Sequence, residues 1–189
     1  TNHPTEADLI TGCTMNVNSF IAVLEKSQST LEVPEGELAM GFYMTTSYDT
    51  SYSGSHAASA DGNGLAQANI DIYAVTINSE GVIVDCKIDA IQAKTEFDAS
   101  GALVTEVGAD NPSKMELGDG YNMRPASPIG AEWDEQTAYF EEYCIGKTVA
   151  QVAGISIDAE TNHPTEADLI TGCTMNVNSF IAVLEKSAA

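Results

Sequence analysis

The chain contains one segment twice. Residues 1–27 read TNHPTEADLITGCTMNVNSFIAVLEKS, and residues 161–187 repeat them letter for letter, 160 positions further along. Chance does not produce such a match, and old divergence would have left differences. Two explanations stay open: a tandem array of near-identical units, or a second copy introduced by engineering. We favour the array, in which the chain is one domain plus an additional copy of that domain's last segment.

The repeat sets the predicted domain boundaries. Residues 1–27 are the tail of a preceding unit, residues 28–30 are a short polar linker, and residues 31–187 are one domain. Because the two copies are identical, both fit the same groove. An N-terminal copy docked on a neighbouring chain would give a domain swap or a head-to-tail fibre. The expected partners therefore include neighbouring repeat units or a swapped chain.

The charge balance is strongly acidic. The 189 residues include 28 Asp and Glu but 7 Lys and Arg, for a formal net charge of −21, and 43% are hydrophobic, enough for a packed core. Nucleic acid is not an expected partner, because phosphate binding needs clustered cations. No apolar run approaches the ~18 residues of a membrane helix, so membrane insertion is not expected. An acidic surface suits an extracellular or cell-surface protein.

The cysteines are counted per repeat unit. Cys13 and Cys173 occupy the same repeat position, so the unit has three cysteines: Cys86, Cys144 and Cys173. An odd number does not make a disulfide framework, and no C-x-x-C spacing suggests a metal site. We expect small buried apolar residues, while a disulfide between Cys86 and Cys144 stays open.

The predicted fold class is α+β, a small antiparallel sheet with helices from the C-terminal half packed on it. The strands are predicted at residues 37–45, 70–77, 82–90 and 103–107, with a long loop at 47–69 and turns at 78–81 and 98–101. In the third strand, five alternating residues are expected to face the core. They are Val82, Val84, Cys86, Ile88 and Ala90.

The helices follow from periodicity and capping. A stripe of Trp133, Thr137, Phe140 and Cys144 predicts a helix that stops at Gly146. Capping boxes predict short helices after Thr148 and after Thr165. The spacing of Val177, Phe180, Ile181 and Leu184 predicts a last amphipathic helix, capped by Asn176 or Thr174.

The segment before that last helix resembles a cofactor-attachment motif. It reads Asp168-Leu-Ile-Thr171-Gly172-Cys173-Thr174. This resembles the signature of the FMN-binding domain family, which includes subunits of the Rnf and Nqr electron-transport complexes and secreted flavoproteins. The family pattern is Asp, two residues, Ser or Thr, Gly, Ala, Thr, then a helix. Asp168, Thr171 and Gly172 match it, and Cys173 stands where the family usually has Ala.

The resemblance implies a specific modification. In the family, an FMN transferase joins the FMN phosphate to the final threonine through a phosphoester bond. Carried over to this chain, the acceptor is Thr174, with Thr14 as its twin in the first copy. The order of elements is also similar over most of residues 37–187, which implies an FMN-binding-domain-like fold.

Elementary physics favours the same place. A threonine at the start of a helix is expected to have an exposed hydroxyl near free backbone N–H groups, where the helix dipole favours an anion by roughly 0.3–1 kcal/mol. Gly172 permits close approach. No cation cluster is then needed, which fits a chain with few cations. The alternative is that Thr171 to Thr174 are merely a turn and an N-cap before a core helix.

A second set of candidates lies in the loop from Gly118 to Arg124. Tyr121 and Met123 could stack on an isoalloxazine ring, and Arg124, the single arginine, could compensate the negative charge of reduced flavin. The alternative is a surface loop whose Tyr and Met fill the edge of the core.

Together these features predict an extracytoplasmic electron-transfer module that carries covalent FMN, more an electron carrier than a catalyst. Its partners would be an FMN transferase and redox proteins or an external electron acceptor. The alternative is a structural or adhesive cell-surface repeat that retains the fold without the flavin. No catalytic residues or metal site are predicted.

Overall fold

The computed structural model describes residues 3–28, 38–47, 54–106, 108 and 110–187. The chain divides into two compact units, residues 1–35 and residues 36–189. Residues 29 and 30 of the predicted linker, and the predicted domain start at residue 31, lie outside the described residues. The second unit is α+β, as predicted: an antiparallel sheet with helices of the C-terminal half packed against it.

The described part of the first unit, residues 3–28, contains two helices. Helix α1 spans Ala7–Ile10, and helix α2 spans Asn18–Gln28. The backbone N–H of Asn18 donates to Oδ1 of Asn16 at 3.0 Å. This asparagine therefore satisfies one of the donors that a helix start leaves without an intrahelical partner.

The sheet of the second unit has strand order β1-β2-β3. Strand β1 is Leu38–Ser47, β2 is Gly64–Asn78 and β3 is Ile83–Phe97, all antiparallel. The first three of the four predicted strands are confirmed, but β2 begins earlier than expected. Residues 64–69, predicted as loop, pair with the end of β3, where the ring of Phe97 lies so close to Gly64 that no Cβ would fit. Residues 48–53 of the predicted loop lie outside the described residues.

A β-bulge changes which side chains of β3 face the core. Thr76 pairs with Asp85 and Ile77 pairs with Ile83, so Val84 is an extra residue between two pairs. Ile83 is fully buried, whereas Val82 and Val84 are half-buried. The predicted inward orientation of those two valines was therefore wrong. Beyond the bulge, the expected burial of Cys86, Ile88 and Ala90 is confirmed.

Helices cover the sheet. After the short helix α3 at Lys114–Leu117 come two 3₁₀ turns, Gly118–Tyr121 and Arg124–Ala126, and then helices α4 at Trp133–Cys144, α5 at Val149–Ala153 and α6 at Asn178–Ser187. Helix α4 packs on β3, and α6 packs on β1, β2 and α5. The predicted stripes of α4 and α6 are buried, which confirms both helices.

Two predicted elements differ from the structure. Residues 167–172 form turns, and the Thr165 hydroxyl donates to the Ser156 carbonyl at 3.1 Å instead of capping a helix. The predicted strand at 103–107 is reduced to one isolated bridge between Leu103 and Phe97, and Leu103 is exposed. Val107 lies outside the described residues.

Candidate functional site

The segment from Asp168 to Thr174 forms tight turns between helices α5 and α6. The N–H groups of Gly172 and Cys173 donate to the Leu169 carbonyl at 3.2 and 2.9 Å. Leu169 and Cys173 are both fully buried, and burial raises the pKa of the Cys173 thiol to about 11. Core packing therefore fixes the segment at two points, and the thiol stays protonated.

Tyr139 of helix α4 forms hydrogen bonds with the middle of this segment. Its hydroxyl donates to the Asp168 carbonyl at 2.9 Å and lies 2.8 Å from Oγ1 of Thr171. The Thr171 hydroxyl also donates to the Asp168 carbonyl, at 2.8 Å. A Cβ added at Gly172 would overlap the Tyr139 ring. Glycine is needed at this position because the backbone lies directly against the aromatic face.

Gln136, one turn earlier on α4, holds the end of the segment. Its Oε1 accepts hydrogen bonds from the backbone N–H of Thr174 at 2.9 Å and from the Thr174 hydroxyl at 3.2 Å. Its Nε2 donates to Oγ of Ser127 and to the Ala131 carbonyl, both at 3.1 Å. Gln136 is fully buried. One side chain therefore connects Thr174 to the loop that precedes α4.

The position of Thr174 differs from the sequence expectation. Helix α6 begins only at Asn178. The backbone N–H of Asn178 donates to Oδ1 of Asn176 at 3.0 Å. Asn176 is therefore the capping residue. Thr174 is half-buried, and its hydroxyl faces Gln136 instead of the free N–H groups at the helix start. The expected support of an anion by the helix dipole does not apply, because that effect is confined to the first turn.

The twin in the first copy has different surroundings. Thr14 is exposed. The repeat covers only residues 161–187, so the first unit contains no sequence counterpart of Gln136 or Tyr139. The two threonines share their neighbours in sequence but not the two side chains that fix the second copy.

The candidate loop is tied to the start of α4. The N–H groups of Met123 and Arg124 donate to the carboxylate of Glu132, a buried acid, at 2.5 and 3.1 Å. Met123 is half-buried and packs against the core, where its sulfur accepts from Nε2 of Gln136 at 3.9 Å. Met123 and Thr174 thus contact the same glutamine side chain.

Arg124 is engaged by neighbouring acids. Its guanidinium lies 2.9 Å from Oδ1 of Asp119 and 2.7 Å from Oε2 of Glu135. The hydrogen bonds to Glu135 and Asp119 raise the pKa of Arg124, and the bond from Arg124 lowers the pKa of Glu135. The cation predicted to compensate reduced flavin therefore neutralises two carboxylates of its own region.

A pocket of about 210 Å³ lies at the start of helix α6. It is bounded by Asn176, two residues after Thr174, and by Trp133, one helical turn before Gln136. A second pocket of about 280 Å³ shares three of its residues. The lining of the first pocket includes three aromatic residues, Tyr121, Trp133 and Phe180, and six polar or charged ones: Asn69, Asp71, Gln92, Lys114, Asn176 and Ser179.

Lys114 brings a positive charge into this pocket. Its ammonium lies 4.7 Å from the centroid of the Tyr121 ring and 5.1 Å from that of Trp133. Such cation–π contacts are favourable because the ring faces are electron-rich. Burial raises the pKa of Asp71, and the charge of Lys114 with a hydrogen bond from Ser179 partly offsets that shift. The pocket thus combines an ammonium group, a carboxyl group and aromatic rings.

Sequence reasoning placed Tyr121 near a ligand but missed the other residues of the pocket, as well as Gln136 and Tyr139. One signal was present: Asp71 interrupts the run of β-branched and aromatic residues from Ile70 to Ile77. A charged residue inside such a strand indicates a polar partner on one face of the sheet.

The other cysteines are structural. Cys86 and Cys144 are free and buried, as the sequence predicted for them. The Tyr73 hydroxyl donates to Sγ of Cys144 at 3.6 Å, and Sγ of Cys86 donates to the Glu141 carbonyl at 3.3 Å. Both thiols act as weak polar groups inside the core.

Among the described residues, no group of three or more His, Cys, Asp or Glu side chains could hold a metal ion. Within the same part of the chain, no helix has the length and apolar character required to cross a bilayer.

Comparison with known proteins gives one partial similarity. Over 40 residues the chain is 50% identical to a protein named chlorophenol reductase from Desulfitobacterium hafniense. The match covers 21% of this chain and 12% of the relative, so the chain spans about one eighth of that protein's length. No protein-family model matches the chain. No solved structure matches it.

Proposed function

We propose that the chain is an extracytoplasmic electron-transfer module with an FMN-binding-domain-like fold, carrying FMN as a phosphoester on Thr174. The observation that carries this proposal is the position of the segment Asp168–Thr174. Tyr139 and Gln136 hold it in one conformation, and Asn176, two residues further on, lines a pocket that contains aromatic and polar residues. A fixed attachment point next to such a pocket is what a tethered flavin requires.

The chemistry of the pocket fits the group. An isoalloxazine has two apolar faces and one edge of hydrogen-bonding atoms. The lining combines the aromatic residues Tyr121, Trp133 and Phe180 with amide, hydroxyl and ammonium groups. When bound, FMN supplies one- and two-electron chemistry that protein side chains lack. Lys114 would stabilise negative charge on the reduced ring, the role that the sequence suggested for Arg124.

Attachment at Thr174 requires its hydroxyl to leave Gln136. The hydroxyl bond is 3.2 Å long, and the N–H bond to the same oxygen is 2.9 Å. Rotation of the threonine side chain breaks only the first bond, so the backbone stays anchored while the hydroxyl becomes an acceptor. Gln136 is therefore a positioning residue for the modification.

The net charge, the covalent attachment and the partial relative all support a role as an electron carrier. A net charge of −21 favours solubility. A covalent bond prevents loss of the cofactor outside the cell, where it could not be regained. The partial relative bears the name of a reductase, which is a redox protein. The partners would be an FMN transferase, a reductase that supplies electrons and an external acceptor.

The test is the intact mass and visible absorbance of the chain co-expressed with an FMN transferase. We expect the wild type to gain FMN, Thr174→Ser to retain it and Thr174→Ala to lose it at that position. The matched variant Thr14→Ala removes the twin hydroxyl and should retain the flavin on Thr174. If Thr174→Ala kept the full covalent flavin load of the wild type, the assignment would be wrong.

A structural or adhesive repeat is the second candidate. It is favoured by the 27 identical positions of the repeat and by the bond that engages the Thr174 hydroxyl in the unmodified chain. This function predicts a folded, colourless protein of unmodified mass even when an active transferase is present. The same co-expression experiment therefore separates the two candidates.

A further inference from the structure

The two identical copies of the repeated segment differ sharply in burial. In the second copy, Phe180 is 3% exposed and Ile181 is 8% exposed, and both belong to the core. Their twins in the first copy, Phe20 and Ile21, are 55% and 47% exposed. No described side chain within residues 3–25 is buried. The first copy therefore presents to solvent an apolar face that the same sequence buries elsewhere.

The groove that accepts this face is defined by the second copy. Phe180 lies 6.1 Å from Trp133 and 5.7 Å from Phe140, measured between ring centroids. The helix that carries it packs on β1, β2 and α5. Because residues 1–27 and 161–187 are identical, a groove that binds one copy offers the other the same contacts. The first copy therefore matches the groove in shape and charge without any change of residue.

We propose that residues 3–28 are a closing segment for a second copy of this chain, filling the groove that residues 161–187 otherwise occupy. A segment in the same domain competes at high effective concentration, so it fills its own groove when it is intact. The N-terminal copy therefore binds a groove whose own segment is missing or displaced. Repeated binding of this kind is head-to-tail, because the donor and acceptor surfaces lie on different parts of the chain.

The test places the same substitution in each copy of the full chain. Phe180→Asp puts a carboxylate into the core and disables the second copy, while Phe20→Asp disables the first. We expect Phe20→Asp to be a folded monomer. We expect Phe180→Asp to form oligomers whose mass, measured by size exclusion with light scattering, rises with protein concentration. The double variant has no intact closing segment, so it should lose near-UV circular dichroism and form no ordered oligomer.

A mixing experiment separates ordered exchange from aggregation. The double variant should regain structure and form a complex when wild-type chain is added, because the wild type supplies an intact N-terminal copy. The Phe20→Asp chain should not rescue it. A folded, monomeric Phe180→Asp chain would mean that the first copy closes its own domain, and this would overturn the proposal. Oligomers that persist unchanged in the double variant, or a Phe180→Asp chain that is unfolded at every concentration, would overturn it too.

Discussion

The side-chain oxygen of Gln136 accepts hydrogen bonds from both the backbone N–H and the hydroxyl of Thr174. The glutamine is fully buried, and its nitrogen is bonded to the loop that precedes its own helix. The proposed attachment point is thus fixed by the core of the domain. Changes in α4 should affect the segment even though the two are distant in sequence.

Replacing Gln136 by Leu should destabilise the domain and reduce flavin attachment. The substitution leaves the N–H of Thr174 and the carbonyl of Ala131 without this partner, and unpaired buried polar groups each cost about 1–3 kcal/mol. We expect the free energy of unfolding in urea to fall by roughly 2–4 kcal/mol. The exposed residue Ala138 lies on the same helix, and Ala138→Leu should change stability by less than about 0.5 kcal/mol. Equal stability of the two variants would contradict the assigned role of Gln136.

The two copies provide a matched pair of glycine substitutions. At Gly172 a Cβ would overlap the Tyr139 ring, whereas nothing lies within 4 Å of the corresponding position at Gly12. We expect Gly172→Ala to lower the free energy of unfolding by about 1–3 kcal/mol, the usual cost of forcing extra volume into a packed site. Gly12→Ala should leave thermal unfolding unchanged. The double variant Gly172→Ala with Tyr139→Ala should recover part of the steric cost, and a lack of recovery would argue against the ring as its cause.

Lys114 should tune the reduction potential of the flavin in the modified protein. Replacing it by Gln removes a positive charge beside Tyr121 and Trp133. We expect the midpoint potential to fall by on the order of 20–60 mV, equivalent to about 1–3 kcal/mol for a two-electron couple. Lys147→Gln also removes a cation–π contact, over Tyr143. Because Lys147 is away from the pocket, a similar shift in that control would exclude a local effect.

The free energy of unfolding should increase as the pH is lowered from neutrality towards the ordinary carboxyl pKa values. Burial raises the pKa of Glu141 above its ordinary value of 4.5 and the pKa of Asp71 above its ordinary value of 3.8. Between the ordinary and the raised pKa of each group, the folded state therefore holds more protons than the unfolded state. Stability in that interval falls as pH rises. Urea unfolding at several pH values should show a smaller slope for Glu141→Gln than for Glu142→Gln, its exposed neighbour. Stability that stays constant or falls as the pH is lowered towards 4.5, the ordinary pKa of Glu141, would refute this prediction.

At pH values below the ordinary carboxyl pKa, the change of the free energy of unfolding with pH has the opposite sign. Hydrogen bonds lower the pKa of Asp98, Asp158 and Glu166. Their contribution to stability is present above the ordinary carboxyl pKa and is lost as pH falls through the lowered values. The same unfolding series should therefore pass through a maximum and decline when extended to strongly acidic pH.

Local patterns were sufficient for the helices and for most of the sheet. The stripes of α4 and α6 and the turn at Gly146 depend on residues a few positions apart, and the structure confirms them. The orientation of Ile83 could not be predicted in this way. It follows from a bulge opposite Thr76 and Ile77, and a bulge depends on the pairing of two strands.

The motif of the candidate site could be predicted from the sequence, but the residues that hold it in place, Gln136 and Tyr139, could not. The segment from Asp168 to Thr174 is recognisable because its residues are contiguous. Gln136 is 38 positions from its partner Thr174, and Tyr139 is 29 positions from Asp168. No periodicity connects such pairs, because a hydrogen bond across the core is set by tertiary packing. The same reason explains why Thr174 was expected at the helix start, where Asn176 takes the capping role.

The position of α6 at residues 178–187 has a consequence for synthesis. Strands β1 to β3 are complete once residue 97 has been added, but translation of the helix that covers β1 and β2 begins 81 residues later. A nascent chain on the ribosome therefore carries an uncovered sheet for most of the time that its domain takes to emerge. In a tandem array, each unit would close only as translation of its successor began.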